Sequence, residues 1–479
     1  MTIIDQMRAV ILENCPFQPT RDQLLATNLL ANFIFDRDCD SVFILRGYAG
    51  TGKTSLVGAL VRTLVQLEQN VVLMAPTGRA AKVFSMHSGH SAFTIHKRIY
   101  RQKAFTGDMV DFLQGVNLMK QTLFIVDEAS MVANDGSGDS VFGTGRLLDD
   151  LVQFVYGGEG CRLLMVGDTA QLPPVGEEQS PALSREALEG YGLKVTEATL
   201  TQVVRQLDES GILWNATMLR QLITDDEMYS FPKLKLSGFP DICNIPGDEL
   251  IESLEMSYRE CGTDGTIVVT RSNKRANVYN NGIRARVLDY DDELVFGDQL
   301  IIVRNNYHWV KPSATEQDSK QMDFIANGDI AIVKRFRNVR EEHGFRFADV
   351  SLTFPDFDGL EVDATMLLDT LQAEAPALPR DRQQELFQRV WDDYPEITTK
   401  RERMKAVKED PYFNSLQVKY AYAVTCHKAQ GGQWQHVYID QGYVTEDMLS
   451  PDYFRWLYTA LTRATERVFL VNWPTDLQS

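Results

Sequence analysis

Short apolar runs recur along the first 170 residues, and each ends in a small or an acidic residue. They read SVFIL at 41–45, VVLMA at 71–75, LFIVD at 123–127 and LLMVGD at 163–168. Stretches long enough for helices separate most of these runs. Unbroken apolar strands that alternate with helices are typical of a parallel sheet covered on both faces. The sequence therefore predicts an α/β domain built on a parallel sheet.

The same pattern returns later in the chain, as TIVVT at 266–270, VYID at 437–440 and RVFLVN at 467–472. These runs predict a second parallel-sheet domain rather than one enlarged sheet. Between them lie short strands bounded by Asn-Gly and Gly-Asp turn signals, which are typical of a small barrel. They read GDQLIIVRNNY at 297–307 and NGDIAIVKRF at 327–336. Residues 297–415 are therefore interpreted as an insertion into the second domain.

A glycine-rich stretch, RGYAGTGKTSL, follows the first strand and precedes a predicted helix. It fits the pattern G-x-x-x-x-G-K-[ST], whose backbone N–H groups hold phosphate at a helix N-terminus. Lys53 is predicted to reach the β- and γ-phosphates of a nucleotide, and the Thr54 hydroxyl to hold Mg²⁺. The residues predicted to bind the nucleotide here are Gly47, Ala49, Gly50, Thr51, Gly52, Lys53, Thr54 and Ser55.

Two acidic residues follow the third apolar run, in LFIVDEAS. A carboxylate at a strand end suits a bound metal ion, which favours Asp127, and the adjacent Glu128 can deprotonate an attacking water. Together with the phosphate loop, this pair favours hydrolysis of the nucleotide over transfer to a small molecule. Gln171, in VGDTAQLPPVG, can hydrogen-bond a γ-phosphate, although an ordinary loop glutamine is the simpler interpretation of that residue alone.

The composition limits the partners and the compartment. The formal net charge of −18 disfavours a protein that coats nucleic acid by bulk electrostatics, but it is compatible with a narrow basic groove. No apolar run approaches the roughly 20 residues that span a bilayer, so no membrane partner is expected. The six cysteines form no C-x-x-C pair, which is typical of reduced thiols and predicts a cytoplasmic protein.

The ordered set of motifs resembles the superfamily 1 helicases. The motifs are GYAGTGKTS, APTGRAAK (75–82), TIHK (94–97), IVDEASMV (125–132), VGDTAQLPPVG (166–176), VVRQ (203–206), AYAVTCHKAQGGQW (421–434) and YTALTRA (458–464). Their arrangement is most similar to the RecD and Dda branch, whose members move 5′ to 3′ on single-stranded DNA. The resemblance covers nearly the whole chain, and it implies an ATP-dependent DNA helicase that uses ATP and Mg²⁺ and binds single-stranded DNA and tailed duplex DNA.

The resemblance also implies roles for single residues. Gln23, in QPTRDQ, matches the position that recognises adenine. Arg205 and Arg463 match two arginines aimed at the γ-phosphate, where a guanidinium fork suits the charge of the transferring group. Gln430 and Gly431 match positions near the nucleotide. The positions that match DNA contacts are Thr77, Gly78, His96, Thr425 and His427.

By the same resemblance, the chain divides into two RecA-like domains with two insertions. The first domain comprises 1–97 and 121–200, the second comprises 201–296 and 416–479, and 297–415 is an SH3-like β domain with a helical elaboration. Residues 98–120 are a hairpin subdomain. Phe105 and Met109 flank its predicted turn. This apolar tip is either a wedge that contacts DNA and splits the duplex or an ordinary surface hairpin, and the residues alone leave both possibilities open.

Two other functions fit much of the same sequence: a DNA-stimulated translocase that displaces bound proteins without processive unwinding, and a P-loop ATP switch that controls a protein partner. The paired arginines argue against the switch, because a switch normally waits for its partner to supply an arginine. Two segments have no assigned role, the glycine-rich loop at 134–145 and the charged helical stretch at 376–412. The aromatic residues of SPDYFRWLYTALTR fall at helical spacing and are interpreted as core.

Overall fold

The computed structural model describes residues 2–36, 38–102, 112–136, 143–203, 209–310, 322 and 324–479. The chain begins with two packed helices, α1 (Ile3–Glu13) and α2 (Arg21–Phe35). Each starts at a threonine whose hydroxyl accepts a hydrogen bond from a backbone N–H of the first turn, which satisfies a donor that the helix leaves open. α2 packs on the first sheet and brings its N-terminal end close to the phosphate loop.

The first domain is built on a six-stranded parallel sheet. Its elements are β1 (Ser41–Gly47), α3 (Lys53–Gln66), β2 (Val71–Ala75), α4 (Gly78–Ser88), β3 (Ala92–Thr94), α5 (Ile95–Ile99), β4 (Tyr100–Gln102), β5 (Phe112–Gln114), β6 (Leu123–Val126), α6 (Leu147–Tyr156), β7 (Arg162–Gly167), α7 (Arg185–Glu189) and β8 (Lys194–Leu200). The sheet order is β3-β2-β6-β7-β1-β8, with every neighbouring pair parallel. The loops after β1, β6 and β7 therefore meet at one edge.

The two short strands β4 and β5 form a separate antiparallel pair in which Tyr100 lies opposite Gln114. Both residues bind Asp150 of α6: the Tyr100 hydroxyl donates to its carboxylate at 2.7 Å, and the Gln114 amide donates to its backbone carbonyl at 2.6 Å. This pair is the base of the predicted hairpin subdomain. The hairpin tip, with Phe105 and Met109, lies outside the described residues.

The second domain begins with α8 (Gly211–Thr224), β9 (Ile242–Ile245), α9 (Leu250–Cys261), β10 (Thr266–Thr270) and α10 (Asn273–Arg286). A closed barrel then follows, formed by β11 (Gln299–Ile302), β12 (Ile330–Glu342), β13 (Phe345–Phe354), β14 (Leu360–Leu367) and β15 (Leu416–Tyr420). Two helices lie between β14 and β15, namely α11 (Arg380–Asp392) and α12 (Lys400–Glu409). They pack on the barrel through an apolar cluster that includes Phe347, Val390 and Val407.

The fifth barrel strand, at 416–420, lies beyond the predicted end of the insertion at residue 415. The predicted boundary is therefore about five residues too early. The physical reason is that the buried run LQVKYAYAVT passes from the barrel into the second sheet without a glycine or a proline to mark the change. Such a run carries no local signal of a domain boundary.

The chain then completes the second sheet with β16 (Ala423–Thr425), α13 (Cys426–Ala429), β17 (Trp434–Asp440), α14 (Pro451–Leu461) and β18 (Ala464–Val471). The order is β16-β10-β17-β18-β9, again parallel throughout. Two parallel-sheet domains and an inserted five-stranded barrel confirm the predicted architecture at this level. Across the part of the chain that the structure describes, no helix has both the length and the apolar surface needed to cross a membrane.

Candidate functional site

The phosphate loop lies between β1 and the N-terminus of the 14-residue helix α3. Gly50 and Gly52 have φ angles of +73° and +77°, which glycine adopts without strain. A Cβ atom on Gly47 would lie 2.6 Å from the Lys53 Cγ atom, so the lysine stem also requires glycine there. The Lys53 ammonium group donates to the carbonyls of Gly47 and Tyr48. The lysine thus holds the loop in its folded shape through two of the loop's own carbonyls.

The acidic pair lies at the same edge, directly after β6. Asp127 accepts a hydrogen bond from the Glu128 backbone N–H at 2.9 Å, and Glu128 itself has a φ of +52°. Burial, together with the neighbouring Glu128 charge, raises the pKa of Asp127 to about 7, although Lys53 opposes the shift. Carboxylate and hydroxyl oxygens are the ligands that Mg²⁺ prefers, and a cation would relieve this buried charge. The Asp127 and Thr54 side chains therefore fit the predicted metal.

Gln171 follows β7 and is 7% exposed. Its Oε1 atom is buried and has no hydrogen-bond partner within the described part of the chain. Leaving a buried polar atom unpaired costs free energy, on the order of 1–3 kcal/mol, so such an atom in a native site indicates a missing partner. This orphaned amide favours the ligand role of Gln171 over the ordinary loop residue.

Two buried polar groups at this edge were not predicted as site residues, Asp168 and Tyr458. The Tyr458 hydroxyl donates to Asp168 Oδ2 at 2.6 Å and accepts from the Ala49 backbone N–H at 2.9 Å. Asp168 also lies 3.9 Å from the Lys53 ammonium group. The ring of Tyr458 is core, as predicted, but its hydroxyl crosses from the second domain into the phosphate loop. The helical spacing in the sequence indicates only that the ring is buried. The signal for a contact of the hydroxyl is that a buried tyrosine oxygen needs a hydrogen-bond partner.

The second domain also touches the tip of the loop. A Cβ atom on Gly50 would lie 2.9 Å from a methyl group of Leu213 on α8, and the Arg220 guanidinium of the same helix stacks on the Tyr48 ring at 4.6 Å. The phosphate loop is therefore enclosed between the two sheet domains. This is the arrangement that a nucleotide bound between two domains requires.

Gln23 lies beside the loop, and both polar atoms of its amide are already engaged. Its Nε2 donates to the Thr51 carbonyl at 2.9 Å, and its Oε1 accepts from the Thr20 backbone N–H at 2.9 Å. Thr20 and Gln23 thus form a reciprocal capping box at the start of α2. The spacing T-x-x-Q before an apolar run was the sequence signal for this cap, and the prediction of adenine recognition overlooked it.

Of the two predicted arginines, the structure describes only Arg463. Arg463 is 4% exposed and donates to the carbonyls of Thr459 at 3.1 Å and Gly432 at 3.3 Å, both in its own domain. It therefore faces its own domain rather than a phosphate in this structure. Arg205 lies outside the described residues.

A cavity of about 950 Å³ lies where the first domain, the second domain and the barrel meet. Four of the predicted site residues line it, namely Thr77, Thr425, His427 and Gln430. Gln430 also donates to the Leu172 carbonyl at 2.7 Å, beside the orphaned Gln171. One short segment of the second domain thus forms part of the cavity wall and contacts the edge that carries the phosphate loop.

The cavity is lined by more basic than acidic side chains on a strongly acidic protein. The basic residues are Arg79, Lys82, Arg271, Lys274 and Lys428, and the acidic ones are Asp264, Asp356 and Glu374. Two of the lysines are paired, Lys82 with Asp356 at 3.4 Å and Lys274 with Glu374 at 3.7 Å. The Lys428 Nζ atom is buried and has no hydrogen-bond partner in the described regions. Burial, together with the nearby Lys419 charge, lowers the pKa of Lys428 to about 8.

Three other predicted residues have different surroundings. A Cβ atom on Gly78 would lie 3.0 Å from Asp329 Oδ1 and 3.2 Å from the Phe357 ring, so this glycine allows the barrel to approach α4. Gly431 has a φ of +73° and packs against Thr77 across the domain interface. His96 lies on α5 with its ring centroid 5.7 Å from that of Tyr100, burial lowers its pKa to about 4, and it is not in the cavity lining.

Comparisons with known proteins agree with this arrangement. A model of the family described as AAA domain matches residues 34–231, and a model of the UvrD-like helicase C-terminal domain matches residues 420–471. The ATP-dependent RecD2 DNA helicase of Deinococcus radiodurans is 27% identical over 430 residues, which cover 89% of this chain and 46% of that protein. The ATP-dependent DNA helicase dda of Enterobacteria phage T4 is 24% identical over 266 residues, which cover 54% of this chain and 55% of that protein.

These matches support the resemblance to superfamily 1 helicases predicted from the motifs, since both named relatives are DNA helicases and the second family model is that of a helicase C-terminal domain. The matched segments fall on the two sheet domains, and the chain spans about half the length of both named relatives. Among solved structures, a crystal structure of Pif1 helicase from Bacteroides with ADP-AlF3 and ssDNA is 16% identical and covers 96% of this chain and 94% of its own, with a TM-score of 0.46.

Proposed function

We propose that this protein is an ATP-dependent DNA helicase, which hydrolyses ATP to move 5′ to 3′ along single-stranded DNA and unwinds tailed duplex DNA. The observation that carries the proposal is the double contact of Gln430. Its side chain lines the cavity and hydrogen-bonds the Leu172 carbonyl beside Gln171, at the edge that carries the phosphate loop. A strand in the cavity and a nucleotide on the loop would therefore act on the same short segment.

The residues of the loop edge support hydrolysis of ATP. When the phosphates bind, Lys53 exchanges the loop carbonyls for phosphate oxygens, and Glu128 accepts the proton of the attacking water. Thr54 and Asp127 would hold Mg²⁺, which neutralises phosphate charge when bound. Gln171 accepts a hydrogen bond from the attacking water through its Oε1 atom, which has no partner among the described residues. One N–H of the Gln23 amide remains for adenine.

The two arginines complete the site only when the domains close. Arg463 would leave the carbonyls of its own domain and donate to the γ-phosphate, and Arg205 would approach from the same domain. A guanidinium placed on the transferring group stabilises the transition state far more than the ground state. Closure and hydrolysis are therefore linked, as a motor requires.

The cavity supports binding of a single strand. Thr77 and Thr425 offer hydroxyls from opposite domains, and His427 and Lys428 offer hydrogen-bond donors from the start of α13. The buried Lys428 ammonium group has no hydrogen-bond partner among the described residues, and a backbone phosphate would supply one. His96 is left out of the proposed contacts because its ring is neutral and lies away from the cavity.

Three finer points belong to the same proposal. We propose that the barrel is SH3-like, on the basis of its five strands, and that the hairpin at 98–120 separates the duplex with Phe105 at its tip. The protein is proposed to be cytoplasmic, a location supported by six cysteines that form no disulfide among the described residues. The helices α11 and α12 stabilise the barrel from outside through their shared apolar cluster.

The test measures ATP hydrolysis by the purified chain with and without oligo-dT, then strand displacement on duplexes with a 5′ tail, a 3′ tail or no tail. We expect hydrolysis stimulated by DNA and displacement only from the 5′-tailed substrate, with Lys53→Ala inactive in both assays. Stimulated hydrolysis that removes streptavidin from biotinylated DNA without separating strands would indicate the translocase. Hydrolysis indifferent to DNA would indicate the ATP switch and refute the proposal.

A further inference from the structure

One side chain of the second domain is hydrogen-bonded into the phosphate loop. The Tyr458 hydroxyl, on α14, accepts from the Ala49 backbone N–H at 2.9 Å and donates to Asp168 Oδ2 at 2.6 Å. Tyr458 and Asp168 are each 1% exposed. Both hydrogen-bonding capacities of this hydroxyl are therefore used across the domain interface, within dry surroundings that strengthen them.

The next residue of α14 extends the same contact. The Thr459 hydroxyl accepts a hydrogen bond from the Leu172 backbone N–H at 2.9 Å, and Thr459 is fully buried. Two consecutive side chains of α14 thus fix this helix against two loops of the first domain. Arg463 lies two residues beyond the end of α14, and its Nε donates to the Thr459 carbonyl at 3.1 Å.

Asp168 connects this contact to the state of the nucleotide site. Its Oδ2 atom lies 3.9 Å from the Lys53 ammonium group as well as 2.6 Å from the Tyr458 hydroxyl. When Lys53 turns to a phosphate, Asp168 loses the nearest positive charge, and the Tyr458 hydroxyl becomes its remaining close donor. A hydrogen bond to an ionised carboxylate is about twice as strong as one between neutral groups. Nucleotide binding should therefore tighten the contact between α14 and the first domain.

We propose that Tyr458 is a positioning residue, which links the phosphate loop and Asp168 to α14 and so aligns Arg463 with the γ-phosphate in the closed state. The inference rests on the proposed function, since it assigns Tyr458 a part in the same hydrolysis. Tyr458 itself does not touch the reacting atoms. It acts through α14, whose Thr459 carbonyl accepts the hydrogen bond of Arg463.

The test replaces Tyr458 by phenylalanine, which keeps the buried ring and removes only the hydroxyl. The matched control is Tyr453→Phe, because Tyr453 is a buried tyrosine of the same helix whose hydroxyl donates to Gln441 at 2.8 Å within the second domain. Tyr458→Phe loses two buried hydrogen bonds and Tyr453→Phe loses one, so both should lower Tm, Tyr458→Phe somewhat more, and kcat rather than Tm separates the two roles. We expect kcat to fall about tenfold in Tyr458→Phe with KM for ATP within twofold of wild type, and Tyr453→Phe to keep wild-type kcat.

A second pair of variants tests the partner. Asp168→Asn should lower kcat, and adding it to Tyr458→Phe should cause little further loss, because the two side chains act through one hydrogen bond. Equal kcat values for Tyr458→Phe and Tyr453→Phe, or a raised KM with unchanged kcat, would overturn the inference. Should wild-type hydrolysis not respond to DNA, the proposed function fails, but the same comparison made on basal hydrolysis still decides the role of Tyr458.

Discussion

Lys428 offers the sharpest test of strand binding in the cavity. Its ammonium group is buried in the cavity wall and has no hydrogen-bond partner within the described residues. Burial lowers the pKa of this ammonium group to about 8. Lys428→Met keeps most of the side-chain volume and removes the charge. If the group binds a backbone phosphate, the variant should lose one ionic contact with single-stranded DNA.

The size of the salt effect follows from counterion release. Each phosphate contact on a single strand contributes about 0.7 to the slope of log affinity against log salt concentration. The slope of Lys428→Met should therefore be shallower by about 0.7. Over a fourfold rise in salt, from about 50 to 200 mM, wild type should lose about 2.6-fold more affinity than the variant.

The sign of the pH effect follows from the lowered pKa. A phosphate stabilises the charged amine, so binding raises the pKa of Lys428, and affinity is full below pH 8 and falls as the pH rises through that value. About nine tenths of the free amines are charged at pH 7 and about one tenth at pH 9, so affinity should fall up to about tenfold between them. Burial also lowers the pKa of Lys419 to about 8, so this lysine titrates in the same pH range.

Fluorescence anisotropy of a labelled oligo-dT, without nucleotide, measures both effects. The matched control is Lys274→Met, because Lys274 also lines the cavity but is 74% exposed and paired with Glu374 at 3.7 Å. We expect that control to keep the pH profile and most of the salt slope of wild type. Parallel salt and pH curves for wild type and Lys428→Met would refute the placement of a phosphate at Lys428.

Three further changes address the other parts of the proposal. Glu128→Gln should bind ATP with near-wild-type affinity but hydrolyse it at least 100-fold more slowly, because the amide cannot accept a proton; lost binding of a fluorescent ATP analogue would instead make Glu128 structural. Arg463→Ala should lower kcat far more than affinity for ATP, and equal rates under saturating ATP and DNA would remove the arginine from the transition state. Replacing 105–109 by a Gly-Ser turn should keep DNA-stimulated hydrolysis and abolish unwinding of a 5′-tailed duplex; unwinding at the wild-type rate per ATP would assign strand separation to another element.

The sequence predicted the inner strands of both sheets and missed the outer ones for a common reason. β1, β2, β6 and β7 are covered on both faces, so each is a continuous apolar run. The outer strands are the ones without such a run: β3 and β16 have three residues each, and β8 reads KVTEATL with polar side chains along it. A short or half-exposed strand has no pattern that separates it from a loop.

The site divides in the same way. The phosphate loop and the acidic pair were readable because their chemistry depends on neighbouring residues in the chain. The contact between Tyr458 and Asp168 joins residues 290 positions apart, and no local sequence pattern in either segment predicts it. Gln23 shows the converse error, since the capping box with Thr20 was readable within four residues and the family comparison drew attention elsewhere.

The charge distribution explains how an acidic protein can bind a polyanion. The formal net charge is −18, yet the cavity wall carries five basic and three acidic side chains. Lys428 is buried in this wall, and its burial lowers its pKa. Long-range attraction is screened beyond about 8 Å at physiological salt, so the body of the protein contributes little to a strand already in the cavity. Affinity then rests on a few buried contacts, and the total salt slope should be small. A small total slope is also what makes the loss of about 0.7 in Lys428→Met measurable, because the same loss would be hidden in a protein with ten phosphate contacts.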